Sequence, residues 1–241
     1  YLTDGPAGQK HWRGELSFPQ ATLNGWVQRV YDGGATLFTH CNGDAAIDAL
    51  LEAHRAASGG DPAKPRGTVG VHSQFIRRDQ LEKYAAWKIT PSFFTLHCFY
   101  FGDTHVANRG PEQAAFISPM KSARALGIRP ANHTDFNVSP LDQMFTIHTA
   151  VNRTTRSGTT LGPDERVAPL EALEAITIDG ARMYGEEDRK GSIEPGKLAD
   201  LVVLSGNPLA VPAAAIKDIR VEETIKDGRT VWLRTPEDGP R

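Results

Sequence analysis

From Ala21 to Leu126 short apolar runs alternate with stretches of helical periodicity, and this alternation constrains the fold more than any other feature of the chain. TLNGWVQRVYDGG predicts a helix closed by Gly33 and Gly34, and ATLFTH predicts a short strand. Asp44 then caps a second helix, AAIDALLEAHRAA, whose Ala46, Ile47, Leu50 and Leu51 share one face. GTVGVH predicts the next strand, RRDQLEKYAAWK the next helix and ITPSFFTL a third strand-like run. A longer segment, HCFYFGDTHVANRGPEQAAF, leads to a short helix in MKSARALG and the strand-like IRPANHTD. In SPLDQMFTIHTAVNR, Ser139 is expected to cap a helix and Pro140 to open it. Strands and helices alternating at this spacing form parallel βα units, so the fold class is α/β.

Further along, the texture changes. Thr154 to Pro169 is a polar excursion bearing Gly and Pro, and PLEALEAITIDGARMYG predicts a pair of helices. GSIEPGKLADLVVLSGNP and IRVEETIKDGRTVWL are β-rich, and Asp227-Gly228 between apolar runs signals a hairpin. A boundary near Lys190 therefore separates an α/β region, 1–190, from a small β appendage, 191–241. The opening YLTDGPAGQK reads as a strand end running into a Gly-containing loop, which sets the expectation of sequence before Tyr1.

Composition removes several classes of function. A net charge of −2 with scattered Lys and Arg gives no field that would draw nucleic acid or an anionic membrane. No stretch has the length of a membrane span. Cys41 and Cys98 cannot form a disulfide framework and are read as buried thiols of a cytoplasmic protein. Each neighbours a histidine, but adjacent strand residues face opposite ways, which argues against a Cys–His nucleophile.

Three predicted strands end on or near a residue that can ligate a metal: His40, His72 and Asp135. Strand ends are where α/β barrels place their chemistry, and two imidazoles with a carboxylate suit zinc or a similar divalent ion. Neighbouring parallel strands lie about 5 Å apart, close enough for two such imidazoles to share an ion. Asp135 has the chemistry to hold metal or to take a proton from water. The plain alternatives are hydrogen-bonding histidines and a turn-forming Asp. His97, Asp103 and His105 fall in the long segment, where loops carry substrate contacts, and Phe99, Tyr100 and Phe101 either line a pocket or pack. His133 would face away from Asp135's site if the strand stays extended, which makes it structural. His54 and His148, on predicted helices, are expected at the surface or the core edge.

HCNGDAAID, DRKGSIEPGKLADLVVLSGNP and VEETIKDGRTVW together resemble the amidohydrolase superfamily, in particular the C-terminal half of its family 3 branch, the N-substituted formamide deformylase-like enzymes. The resemblance covers nearly the whole chain and implies the second half of a (β/α)8 TIM-type barrel followed by part of a small composite β-sandwich. It implies that His40 and His72, on strands five and six, bind one metal, and that Asp135, on strand eight, binds another and moves the proton. PSFFTLHCFYFGDTH resembles the strand-seven loop, which puts His97 and Asp103 near the substrate. The family's HxH pair of strand one is absent from this sequence, as is its carboxylated Lys of strand four; YLTDG resembles the stretch just after that Lys. Val71 and Thr134 stand where the family often has Glu and Ser.

The function these readings imply is hydrolysis of a non-peptide C–N bond, in an amide or formamide-type small molecule, by water activated on one or two divalent ions, zinc foremost. The expected partners are the N-terminal half of the barrel and, in a homo-oligomer, further copies of the chain. Two other readings stay open: a non-catalytic fragment or subunit needing a partner segment, and a deaminase or isomerase on the same fold.

Overall fold

A computed structural model describes residues 1–5, 11 and 13–235, and at its centre four parallel strands lie side by side in chain order. They are β1 (Leu37–Cys41), β2 (Thr68–His72), β3 (Thr90–Phe93) and β4 (Ala131–Asn132). Parallel neighbours need crossovers, and helices supply them. α1 (Gln20–Asp32) precedes β1, α2 (Asp44–Ala56) joins β1 to β2, and α3 (Arg78–Trp87) joins β2 to β3. The β3–β4 connection is built of four short helices: α4 (Leu96–Tyr100), α5 (Gly102–Arg109), α6 (Pro111–Ala115) and α7 (Met120–Ala125). The register pairs Leu37 with Thr68 through to Cys41 with His72, so both strands end at the same edge. Part of the Gly-containing loop expected after Tyr1, residues 6–10, lies outside the described residues.

Two helix starts differ from expectation. Asp44 is the first residue of α2 and does not cap it; its Oδ1 accepts from Leu2 N and Ala45 N, tying residue 2 to the helix start. α8 (Gln143–Asn152) begins after Asp142, whose Oδ1 accepts from Phe145 N at 2.9 Å. Ser139 donates instead to the Thr134 carbonyl, which leaves Asp142, an equally good cap, to set the boundary.

α9 (Pro169–Ile176) and α10 (Ile178–Met183) follow, and then an antiparallel sheet of β5 (Leu201–Leu204), β6 (Val221–Lys226) and β7 (Arg229–Leu233). Asp227 and Gly228, at φ 48° and 73°, make the tight turn between β6 and β7. Between β5 and β6 a 3-10 turn, Ala213–Asp218, carries Ile216 into the main core. That core also holds Ile47, Leu50, Leu81, Tyr84, Phe93, Met120 and Ile147, each burial worth about 1.5–3 kcal/mol. Gly70, on β2, is fixed by packing: a Cβ there would lie 2.4 Å from the Tyr84 hydroxyl.

His54 is fully buried and not at the core edge. Tyr31 of α1 bonds its Nδ1 at 2.7 Å, Pro62 O lies 2.9 Å from its Nε2, and Trp87 stacks on its ring. α1 and the loop after α2 cover the helix face that periodicity alone leaves open. Arg153 is also completely buried. It donates to the carbonyls of Leu161, Ser118, Ala115 and Ile117, joining the end of α8 to the segment around α6. Among the described residues no helix is long and apolar enough to cross a membrane.

Candidate metal centre

β2 ends abruptly. His72 and the next residue, Ser73, both have left-handed backbone, φ 67° and 42°, an uncommon pairing for residues with side chains. The turn leaves the His72 ring buried at the strand edge, with the His40 ring 4.6 Å away between centroids. The register places Cys41, not His40, beside His72, so His40 reaches across from one residue earlier.

β4 ends after Asn132, and three residues beyond it Asp135 also has a positive φ, 52°. Strand alternation stops there, and His133 and Asp135 converge on the same ring. His133 Nε2 lies 3.2 Å from His72 Nδ1, and Asp135 Oδ2 lies 3.9 Å from His72 Nε2. His72, His133 and Asp135 each offer a ligand atom, all within 4.8 Å of one another. His133 thus faces the cluster, contrary to the expectation from an extended strand. The polar run Asn132–Asp135, too hydrophilic for a continuing buried strand, is the signal in the sequence that the alternation ends there.

A second histidine pair lies beside the first. His97, on α4, places Nδ1 2.9 Å from His105 Nε2 on α5, and its ring is 6.2 Å from that of His72. Phe94 stacks on His133 and meets His97 edge-on. Asp103 is exposed and turned elsewhere: its carboxylate accepts from the Ser157 hydroxyl at 2.7 Å and backbone N–H at 3.1 Å, bonds that hold its pKa below the ordinary value. The aromatic run divides in the same way. Phe99 and Tyr100 pack on Phe145, while Phe101 lies against His97 and His105. Cys41 is buried in the core with its Sγ 3.8 Å from the Tyr84 hydroxyl, and burial pushes its pKa up. Cys98 is likewise a buried free thiol.

His72, His97, His105 and His133 are held neutral. Burial, then the His40 imidazole, lowers the pKa of His72 to about 4 against the small opposing pull of Asp135. Burial and the neighbouring imidazoles His72 and His40 bring His133 to about 3; burial with His105, His72 and His133 does the same to His97. His105 falls to about 4 through burial and Arg109. A neutral imidazole has one unprotonated ring nitrogen, which is the state a divalent ion needs.

The same shifts set a pH dependence. The ordinary imidazole value is 6.5, so between pH 6.5 and about 4 to 3 the unfolded chain takes up protons that the folded chain refuses. This contribution to stability is complete above pH 6.5 and is lost as pH falls through that window. The metal-free protein is expected to melt more than about 5 °C lower at pH 5 than at pH 7, since each kcal/mol moves Tm by about 2–4 °C at this size. Calorimetry at the two pH values checks it, and equal melting temperatures would contradict the assigned neutral state.

The amidohydrolase family model matches residues 2–232. The chain is 31% identical over 232 residues to N-substituted formamide deformylase of Arthrobacter pascens, covering 95% of this chain and 42% of that protein. It is 27% identical over 187 residues to the protein LONG AFTER FAR-RED 3 of Arabidopsis thaliana, covering 77% of this chain and 32% of that protein. Among solved structures, a metal-dependent hydrolase from Pyrococcus furiosus superposes with a TM-score of 0.73 at 25% identity, over 86% of this chain and 41% of its own. Another, from Pyrococcus horikoshii, gives 0.75 at 23% identity, over 88% of this chain and 42% of its own. The chain thus spans less than half the length of each of these relatives.

Proposed function

The chain belongs to the amidohydrolase family, and from that premise we propose that it works within a metal-dependent hydrolase that cleaves a non-peptide C–N bond of an amide or formamide-type substrate. The observation that carries the reading is the convergence of neutral imidazoles and a carboxylate, His72, His133 and Asp135, at the C-terminal edge of a parallel sheet. The donor set fits a zinc-like ion: unprotonated nitrogen and carboxylate oxygen. His40, His72 and Asp135 would hold the metal, one or two ions.

When bound, such an ion makes water easier to deprotonate and polarises a carbonyl. The chain's own residues do the rest. Asp135, at the open side of the cluster, accepts the proton of the attacking water and returns it to the leaving nitrogen. His97, fixed by His105 and walled by Phe94 and Phe101, faces the substrate, whereas Asp103, bonded to Ser157, is left out of that wall.

Residues 1–190 would then be the second half of a (β/α)8 barrel, and 191–241 the last strands of a composite β-sandwich. Uncovered apolar surface supports both assignments. Along β1, Leu16, Phe18, Trp26 and Phe38 line an open cavity of about 590 Å³. In the small sheet Val202, Val203, Val231 and Leu233 are exposed. The segment that completes the barrel would carry the remaining metal ligands.

Substrate profiling of the complete protein with zinc tests the reaction class. N-substituted formamides and simple amides are expected to release amine together with formate or carboxylate. Ammonia from an aminopurine, without amine from any amide, would replace amide cleavage by hydrolytic deamination, and no turnover of either class would leave a non-catalytic subunit.

A further inference from the structure

We propose that His133 shares an ion with His72 as a direct ligand, and that Ser92 is the positioning residue that lets His133 change from hydrogen-bond partner to ligand. The inference rests on the metal-hydrolase reading and adds a residue that the strand-end pattern of His40, His72 and Asp135 leaves out.

His133 Nε2 and His72 Nδ1 are 3.2 Å apart. Two imidazole nitrogens on one zinc, with bonds of about 2.0–2.1 Å at a tetrahedral angle, lie about 3.3 Å apart. The pair is therefore already spaced as two ligands of one ion. The ring has little freedom to leave that position: Phe94 stacks on it at 5.4 Å and 19°, and the backbone below it is fixed by the His133 main-chain N–H donating to Phe93 O at 2.9 Å.

The other nitrogen explains how one ring serves both states. His133 Nδ1 is 3.0 Å from the Ser92 hydroxyl, on the neighbouring strand β3. Without metal, Ser92 donates to Nδ1 and His133 Nε2–H donates to His72 Nδ1, a relay with no lone pair left over. With metal, the proton resides on Nδ1 and is donated to Ser92 Oγ, and Nε2 presents its lone pair to the ion. A hydroxyl both donates and accepts, whereas a carbonyl or carboxylate would lock one tautomer. Ser92 is buried, which makes an unpaired Nδ1–H costly and the dual role of the hydroxyl consequential.

The test is zinc affinity by competition with a chelating dye, together with the visible spectrum of the cobalt-substituted protein, on the complete protein. His133→Gln and Ser92→Ala are each expected to weaken zinc binding by at least about 10-fold, in the range seen when partners of metal-bound histidines are removed. Both should alter the cobalt ligand-field bands, and Ser92→Thr, which keeps the hydroxyl, should restore affinity and spectrum. Because His133→Gln could act by disturbing the fold, two-bond proton–nitrogen NMR of the wild type provides an independent reading. His133 should be protonated at Nε2 without zinc and at Nδ1 with it. Unchanged affinity and spectrum in both variants, in a protein that loses zinc when His72 is replaced, would overturn the role of His133 and leave the hydrolase reading standing. A wild-type protein that binds neither zinc nor cobalt would overturn both.

Discussion

Asp135→Asn is expected to lower kcat by about 10²–10⁴, the range for loss of a positioned acid–base group. The substitution keeps the shape and the hydrogen-bonding oxygen of the side chain but removes the group that can hold a proton. Asp135 is suited to the role by its placement. Its carboxylate is 37% exposed while the His72 ring beside it is only 3% exposed, so it is the member of the cluster that meets incoming water. Its left-handed backbone, which Asp tolerates better than most residues, aims it back towards β2. Steady-state kinetics with zinc content measured in parallel separates the effects: loss of kcat at full zinc occupancy supports the proton role. Full activity of the variant would remove Asp135 from the mechanism.

Arg153→Met is expected to destabilise the fold by about 3–5 kcal/mol, since the guanidinium is buried and removing it strands the carbonyls of Leu161, Ala115 and Ile117, while that of Ser118 keeps the Met120 N–H. Met preserves much of the aliphatic stem, so the loss reports the hydrogen bonds rather than a cavity. The carbonyls belong to residues 115, 117, 118 and 161, which brace the segment containing α6 and the start of α7. Gly162, next to one of them, has φ 59° and so little room that a Cβ would lie 1.8 Å from Ala115 O. Denaturant unfolding measures the change, and a loss under about 1 kcal/mol would show that water replaces the guanidinium.

Much of this architecture is legible in the residues. β1 and β2 follow from short apolar runs, α2 and α3 from helical spacing, and the β6–β7 turn from Asp227-Gly228. What is not legible depends on neighbours distant in sequence. His54 lies on a helix whose outer face is covered by Tyr31 and Pro62, which no local pattern announces. The start of α8 shifts from Pro140 to Gln143 because Asp142 competes as cap and Ser139 is taken by Thr134.

At the site, position along the strands picks out His40, His72 and Asp135, and the fold brings each within reach of the next. His133 escapes that reading because period-two alternation holds only while the ladder lasts, and β4 has just two ladder residues. His105 escapes it because α4 and α5 fold back on each other before the partner of His97 becomes apparent. Asp103, chosen on the same loop, spends both carboxylate oxygens on Ser157.

If this chain supplies ligands to an ion on which C–N bond hydrolysis depends, removing that ion must abolish turnover. The most direct measurement is amine release from an N-substituted formamide by the complete protein before chelation, after it, and after zinc is returned in stoichiometric amounts. Turnover is expected to be lost with the metal and regained with one or two zinc ions per chain, with no recovery when His72 is replaced. Turnover that persists in the metal-stripped protein, or zinc recovery that is indifferent to His72, would contradict that expectation.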